Sequence, residues 1–434
     1  MATQATQEKY PNRVIQLFLG ITCMATVANC QYGWTLFVAP IEDKYHWARA
    51  AIQLSFTIFL IFETWLVPLE GWGVDKFGPR PVIIFGAILV TIGWIICSIA
   101  SSLGVLYAAQ VLTGAGAGAV YGTCSGNSLK WFPDKRGLAS GATAAGFGGG
   151  AAITVIPVAG MINSSGYEQA FLVFGIIQGV IIACCAIFMP RAKLPPGTKI
   201  KPRVITSKKN YNQLQLIQQP LFWLIWALFV GVASGGIMGT ASFGPVSKDY
   251  GLNKIPVTCL GVTLPLLTMA MSIDNICNGA TRPIMGYLSD RFGRENLMLV
   301  VFMGEAFALL GLVFWGRSPI GFMFFAAMTF ACWGEIFSLF PSMCADTFGA
   351  RYAAGNAGTL YTAKGTSAFL VPIGAWMSKG GNWDRTFIMS AIIAATCSLL
   401  SFFVLKPWRR RFIENNNREV EELEKQGIFQ DTTL

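Results

Sequence analysis

Six ionisable side chains, Arg282, Lys364, Glu63, Asp274, Glu305 and Glu335, lie inside long apolar runs. Arg282 precedes the polar string "DRFGRE" (290–295) by eight residues, ~12 Å along a helix rising about 1.5 Å per residue. Lys364 follows Arg351 by thirteen residues, ~20 Å on the same measure. If the runs span a membrane, both cations stand deep in a hydrocarbon layer about 30 Å thick. A charge there costs about 2.5 kcal/mol or more, and such residues face cavities and mark pathways. Arginine offers a planar fork to a carboxylate and lysine a compact point charge, so the pair could neutralise a small dicarboxylate or two monocarboxylates. The acids could carry protons or serve as counter-ions, since burial and a neighbouring cation pull a carboxyl in opposite directions. The structural alternatives for Arg282 are an ion pair with Asp274 and snorkelling of its long side chain.

The elements that must position these groups are membrane helices. Of 434 residues, 53% are hydrophobic and 12% charged, against about 25% charged in a soluble protein. Apolar runs between charged or Pro/Gly breaks give twelve spans, near 14–39, 50–72, 81–100, 104–129, 138–161, 168–190, 221–244, 257–288, 296–315, 319–345, 353–377 and 384–406. The expected organisation is a polar N-terminal tail (1–13), a six-helix bundle (14–190), a basic linker (191–220), a second six-helix bundle (221–406) and a polar tail (407–434). The tail is expected to be a basic membrane-edge anchor followed by a short or frayed helix. The first apolar run is too long for a signal-peptide core, so that span is expected to be retained.

An internal repeat supports the division into halves. "VPLEGWGVDKFGPR" (67–80) aligns with "RPIMGYLSDRFGRE" (282–295) at an offset of 215, pairing Gly71 with Gly286, Asp75 with Asp290 and Gly78 with Gly293. The same offset pairs Glu63 with Asn278, Val67 with Arg282 and Gly149 with Lys364, so the symmetric positions need no cation. Two parallel six-helix repeats predict a rocking transporter with its site between the halves. With an even number of spans, 23 of the 32 basic residues fall on the side of the termini, which predicts cytoplasmic termini in a multi-pass cell membrane protein.

The repeated strings "GWGVDKFGPR" and "GYLSDRFGRE" resemble the loop signature of the major facilitator superfamily, including Asp75, Arg80, Asp290 and Arg294. Narrower strings, "QYGWTLF" (31–37), "WFPDKRGLASG" (131–141), "CNGATRP" (277–283) and "TAKGTSA" (362–368), resemble the oxalate/formate antiporter family within it, over nearly the whole chain. The resemblance implies that Arg282 and Lys364 bind substrate carboxylates. It also implies that Tyr32, Tyr121 and Trp333 line the cavity with Gln31 as polar neighbour. Tyr361 stands at a helix-11 tryptophan position, and Phe147 and Phe337 stand where the oxalate transporters carry tyrosine hydroxyls. Glu63 and Asp274 replace expected amides and Glu335 an expected glycine. In this superfamily helix 2 faces helix 11, so a Glu63–Lys364 pair that opens for substrate or a proton is expected. Asn278, one turn before Arg282, belongs to the same site, while Glu305 on helix 9 is expected to be peripheral.

The expected function is secondary transport of small organic anions by oxalate/formate-type exchange, with Asp75, Arg80, Asp290 and Arg294 gating and Glu63, Asp274 and Glu335 coupling. The alternative is proton-coupled symport of a monocarboxylate such as lactate or pyruvate, with Glu63 or Asp274 carrying the proton. Other classes fit poorly. One histidine, His46, cannot make a zinc site or a hydrolytic triad, and the cysteines show no ligand spacing, so neither an enzyme nor a metal or other cofactor is expected. The glycine runs at 114–122 and 141–152 follow no strand and fit helix packing better than a nucleotide loop. No basic stripe suggests nucleic acid. The expected partners are small anions, protons and lipid, around a monomer; a membrane sensor would need an output domain that the short C-terminus does not supply.

Overall fold

The computed structural model describes residues 11–193, 204–252, 255–259, 261–370, 377 and 382–426. The expected terminal tails and the linker therefore lie partly outside the described residues. Span 1 is Arg13–Val27, Asn29–Tyr32 and Thr35–Tyr45; span 2 is Arg49–Trp65 and Val67–Phe77. Spans 3 to 6 are Pro79–Ser98, Leu103–Trp131, Arg136–Ser165 and Tyr167–Ile187. In the second half, spans 7 to 9 are Pro220–Asp249, Leu266–Phe292 and Arg294–Trp315. Span 10 is Pro319–Gly334 and Ile336–Phe348, and span 11 is Ala353–Ser367. Span 12 is Asp384–Leu400, a π turn at Ser401–Leu405, and Lys406–Lys425.

Local chemistry sets the helix ends. Ser102 and Ser318 accept hydrogen bonds from the amides of Val105 and Gly321, capping spans 4 and 10. The repeat survives in the backbone: Gly78 (φ 92°) and Gly293 (φ 90°) make the same left-handed turn before spans 3 and 9, a conformation that favours glycine. Span 2 breaks at Leu66, just before Pro68, and span 10 breaks at Glu335.

Two boundaries differ from expectation. Span 8 does not begin near residue 257. Pro256–Cys259 and Val262–Pro265 form an antiparallel hairpin, turned at Gly261 (φ 82°), and the helix starts at Leu266. The β-branched Val257, Thr258, Val262 and Thr263, bracketed by two prolines, suit a strand while looking apolar enough for a span. Span 12 does not end near 406 in a short or frayed helix. It runs on to Lys425, because its polar end is tied down by the linker.

Spans 5 and 8 pack together along their length, as do spans 2 and 11, joining the two halves. On the side that carries the described chain ends (hereafter the terminal side), the approach is too close for side chains. A Cβ on Gly71 would lie 2.8 Å from Gly355 Cα, and one on its repeat partner Gly286 would lie 2.7 Å from the Gly137 carbonyl carbon. The outer surface is apolar, with Ile176, Val180, Phe314 and Ile320 exposed, as a lipid-facing belt requires. Nine described helical stretches are long and apolar enough to cross a membrane. Leu266–Phe292 is not among them, because Asp274, Asn275, Asn278 and Arg282 interrupt its apolar run.

Candidate functional site

Arg282 and Lys364 come together at the centre of the molecule, where both are almost wholly buried. Arg282 projects from span 8 towards span 5. Its Nε and Nη2 donate to Asn278 Oδ1 at 3.0 and 2.7 Å, and Nη1 donates to the Ala144 carbonyl at 2.8 Å. The Asn278 bonds follow from helical spacing, since residues four apart share a face. The bond to Ala144 crosses between the halves. It is neither paired with Asp274 nor snorkelled to a surface; among the described residues no carboxylate lies within ion-pair distance of it. Asn278 Nδ2 is buried and has no hydrogen-bond partner, so an unused donor lies beside the unpaired cation.

Lys364 is held differently. Its Nζ donates to Glu63 Oε1 and Oε2 at 3.2 and 3.1 Å, to Gln31 Oε1 at 3.0 Å and to the Tyr361 hydroxyl at 2.9 Å. The Glu63–Lys364 pair thus joins spans 2 and 11 across the halves, with both side chains at most 3% exposed. Gln31 and Tyr32 sit in the short turn Asn29–Tyr32 between two interruptions of span 1. A broken helix places polar side chains at this depth, as in other transporter sites.

Aromatic rings close the space around both cations. Phe337 has Arg282 Cζ 4.8 Å and Lys364 Nζ 5.8 Å from its centroid. Lys364 also lies 5.5 Å from Phe147, 6.0 Å from Tyr121 and 5.1 Å from Tyr361. Tyr121 stacks on Tyr361 at 4.5 Å, and Tyr32 meets the Phe147 edge at 5.6 Å. Trp333 packs against Phe337 and donates from Nε1 to the Ala233 carbonyl at 3.2 Å. Desolvated cations on ring faces gain electrostatic stabilisation.

The remaining acids bond to neither cation. Asp274 is buried with Oδ1 unpartnered, and Glu335, at the break in span 10, has both carboxyl oxygens unpartnered. Glu305 of span 9 lies on neither cation. It is fully buried within the second half, beside Gly235 of span 7, and both its oxygens lack partners.

On the terminal side a second charged assembly links the halves. Asp290 accepts from the amides of Gly137 and Leu138 at 3.0 Å each. Arg294 pairs with Asp290 at 2.7 Å and with Asp346 at 3.0 Å, while Arg136 reaches Asp346 at 2.8 Å. In the first half, Asp75 pairs with Lys130 at 2.5 Å and accepts from the Gly355 amide at 3.0 Å. Arg80 does not join this interlock. It stands exposed, and Lys130 supplies the cation, because the repeat puts Arg80 opposite Glu295 rather than Arg294. Lys130 and Asp346 were not singled out from the sequence; only the aligned acids Asp75 and Asp290 hinted that each needs a cation.

The geometry is that of a closed terminal side beneath a buried, aromatic-walled pair of cations. Residues 17–372 and 255–430 match the Major Facilitator Superfamily. The oxalate:formate antiporter of Oxalobacter formigenes is 35% identical over 396 residues, which is 91% of this chain and 92% of that relative. The uncharacterized MFS-type transporter YhjX of Escherichia coli (strain K12) is 25% identical over 336 residues, covering 76% of this chain and 79% of that relative. Among solved structures, the proton:xylose symporter XylE superposes with a TM-score of 0.62 at 13% identity, over 89% of this chain and 94% of that one. The Escherichia coli fucose:proton symporter FucP gives 0.63 at 14% identity, over 91% and 98%. The chain therefore belongs to the Major Facilitator Superfamily, as a multi-pass membrane transporter of twelve helices in two pseudo-symmetric halves and not an enzyme.

Proposed function

We propose that this transporter exchanges small carboxylate anions across the cell membrane by alternating access, with Arg282 and Lys364 as the carboxylate ligands. The observation that carries the reading is Arg282, a buried guanidinium held in place by Asn278 and the Ala144 carbonyl with no carboxylate at ion-pair distance among the described residues. A buried cation without a counter-ion is costly, and an incoming carboxylate supplies the missing charge. Asn278 Nδ2 offers a further donor, and Gln31, Tyr32, Tyr121, Trp333 and Tyr361 complete the wall. Similarity to an oxalate:formate antiporter supports oxalate and formate as the first substrates to test. Asp75, Asp290 and Arg294 act in this reading as the lock on the terminal side, taken as cytoplasmic from the distribution of lysine and arginine.

A second reading, proton-coupled symport of a monocarboxylate such as lactate or pyruvate, is favoured by the Glu63–Lys364 ion pair, because a proton on Glu63 would release Lys364. One experiment separates them. Purified protein in liposomes loaded with oxalate, formate, lactate or pyruvate is assayed for labelled uptake with and without a pH gradient. Uptake that needs internal anion and ignores the gradient supports exchange; uptake that needs the gradient and no internal anion supports symport. Arg282→Gln protein exchanging at wild-type rates would remove Arg282 from the site in either case.

A further inference from the structure

The two central cations are not equivalent. Lys364 already has a carboxylate, Glu63, at 3.1 Å, whereas Arg282 has none among the described residues. Asp274 and Glu335 place no oxygen on either cation. A monoanion can therefore satisfy Arg282 and leave the Glu63–Lys364 pair intact. A dianion that reaches both cations must take Lys364 from Glu63. The displaced carboxylate would be stranded, because the space around Lys364 is walled by the rings of Tyr121, Phe147, Phe337 and Tyr361. Breaking a buried ion pair and leaving one charge behind is strongly unfavourable.

Resting on the reading of Arg282 and Lys364 as anion ligands, we propose that Glu63 selects substrate by charge: the site accepts monoanionic carboxylates directly and accepts a dianion only together with one proton, which Glu63 binds. In the second case a proton from the compartment supplying the substrate adds to a Glu63 carboxylate oxygen. Lys364 keeps its own protons and moves its hydrogen bonds from Glu63 to the second substrate carboxylate. Release on the far side reverses both steps, so one proton travels with each dianion and the charge moved equals that of a monoanion.

Among the described residues, the groups that face Glu63 are few. Span 11 presents Lys364 and Tyr361, span 1 presents Cys30, Gln31 and Tyr32, span 4 presents Tyr121, and Glu70 lies two turns along span 2 itself. Arg282 acts on the pair from span 8 through Lys364. Among these, Lys364 is the cation in direct contact with Glu63. Loss of the negative charge at Glu63 therefore frees the cation in contact with it.

The test uses the full chain in liposomes at equal pH on both sides, with formate as the monoanion, oxalate as the dianion, and a lumenal pH dye. Formate–formate exchange should be insensitive to pH from mildly acidic to neutral. In liposomes loaded with formate, oxalate entry should acidify the lumen by one proton per oxalate, and its rate should fall up to about tenfold per unit rise in pH. Glu63→Gln should remove both the proton movement and the pH dependence of oxalate entry and raise the oxalate-to-formate rate ratio. The proposal is overturned if wild-type oxalate entry carries no proton, if oxalate is refused at every pH, or if the pH dependence persists in Glu63→Gln, which would place the proton on the substrate. A wild-type count of no protons overturns the proposal even if the variant does not fold. Failure of the underlying reading looks different, since neither anion would then exchange.

Discussion

Gly148 of span 5 leaves space that the Arg282 guanidinium of span 8 fills. A Cβ at Gly148 would lie 3.1 Å from Arg282 Cζ and Nε and 3.2 Å from Nη2, tighter than ordinary van der Waals contact. Gly148→Ala should therefore push the guanidinium off Asn278 and Ala144. Overpacking of this kind costs about 1 kcal/mol or more, so half-saturating substrate should rise by at least about fivefold. Transport kinetics and a melting curve read it together, and the prediction requires the KM to rise severalfold while the melting temperature falls by no more than a few degrees.

Asp290 gives the terminal lock a measurable signature. Its two oxygens accept from the Gly137 and Leu138 amides at the start of span 5, across the interface between the halves. Hydrogen bonds to a charged acceptor are worth about 1.5–3 kcal/mol each. Asp290→Asn should raise hydrogen exchange at these amides by about tenfold or more. Peptides from the outer end of span 6 serve as the internal control. Unchanged exchange at Gly137 and Leu138 would mean that other contacts, such as the Gly137–Gly286 approach, hold the interface alone.

How much of this was legible beforehand depends on the range of the interaction. The spans were visible because a membrane helix must announce itself as a long apolar run, and the halves because Gly78 and Gly293 repeat a turn with the same backbone requirement. The cations stood out because charge in such a run is rare. What stayed hidden was set by contacts between distant segments. Lys130 looks like any basic loop residue until span 4 brings it to Asp75, and Asp346 until two arginines from opposite halves meet it. Arg80 misled for the converse reason, being adjacent to the signature in sequence yet turned outward in space. The 256–265 hairpin passes for the start of a span because run length alone does not separate buried strand from helix.

The polar end of span 12 is held by one buried arginine. Arg409 donates to Thr347 Oγ1 at 2.7 Å, to Glu295 at 2.7 Å and to the Ile205 carbonyl at 3.3 Å. Further along, Tyr211 of the linker donates to Asn416 at 2.9 Å. Arg409→Ala strands Glu295 as a buried acid, at a cost of about 3 kcal/mol or more, and should lower the melting temperature in detergent. Adding Glu295→Ala should recover part of the loss, because the stranded charge is then gone. A double variant no more stable than Arg409→Ala would show that the helix contacts, not the ion pair, dominate.

Asn278→Asp offers the sharpest test of the central arginine, because stability and function should move in opposite directions. Asn278 Oδ1 already receives Arg282 Nε and Nη2, so an aspartate oxygen can take the same two bonds without new geometry. The change replaces the unpartnered Nδ2 donor by an acceptor and supplies the acid that Arg282 lacks. Pairing a buried cation removes an uncompensated charge, so the melting temperature should hold or rise. The same pairing removes the electrostatic reason for an anion to enter, and affinity for formate should fall by about two orders of magnitude, equivalent to roughly 3 kcal/mol. Isothermal binding and thermal unfolding on one preparation give both numbers. A stabilised variant that still binds formate normally would mean that the anion is held by Lys364 and not by Arg282. A destabilised one would mean that the charge of Arg282 is already compensated by another group.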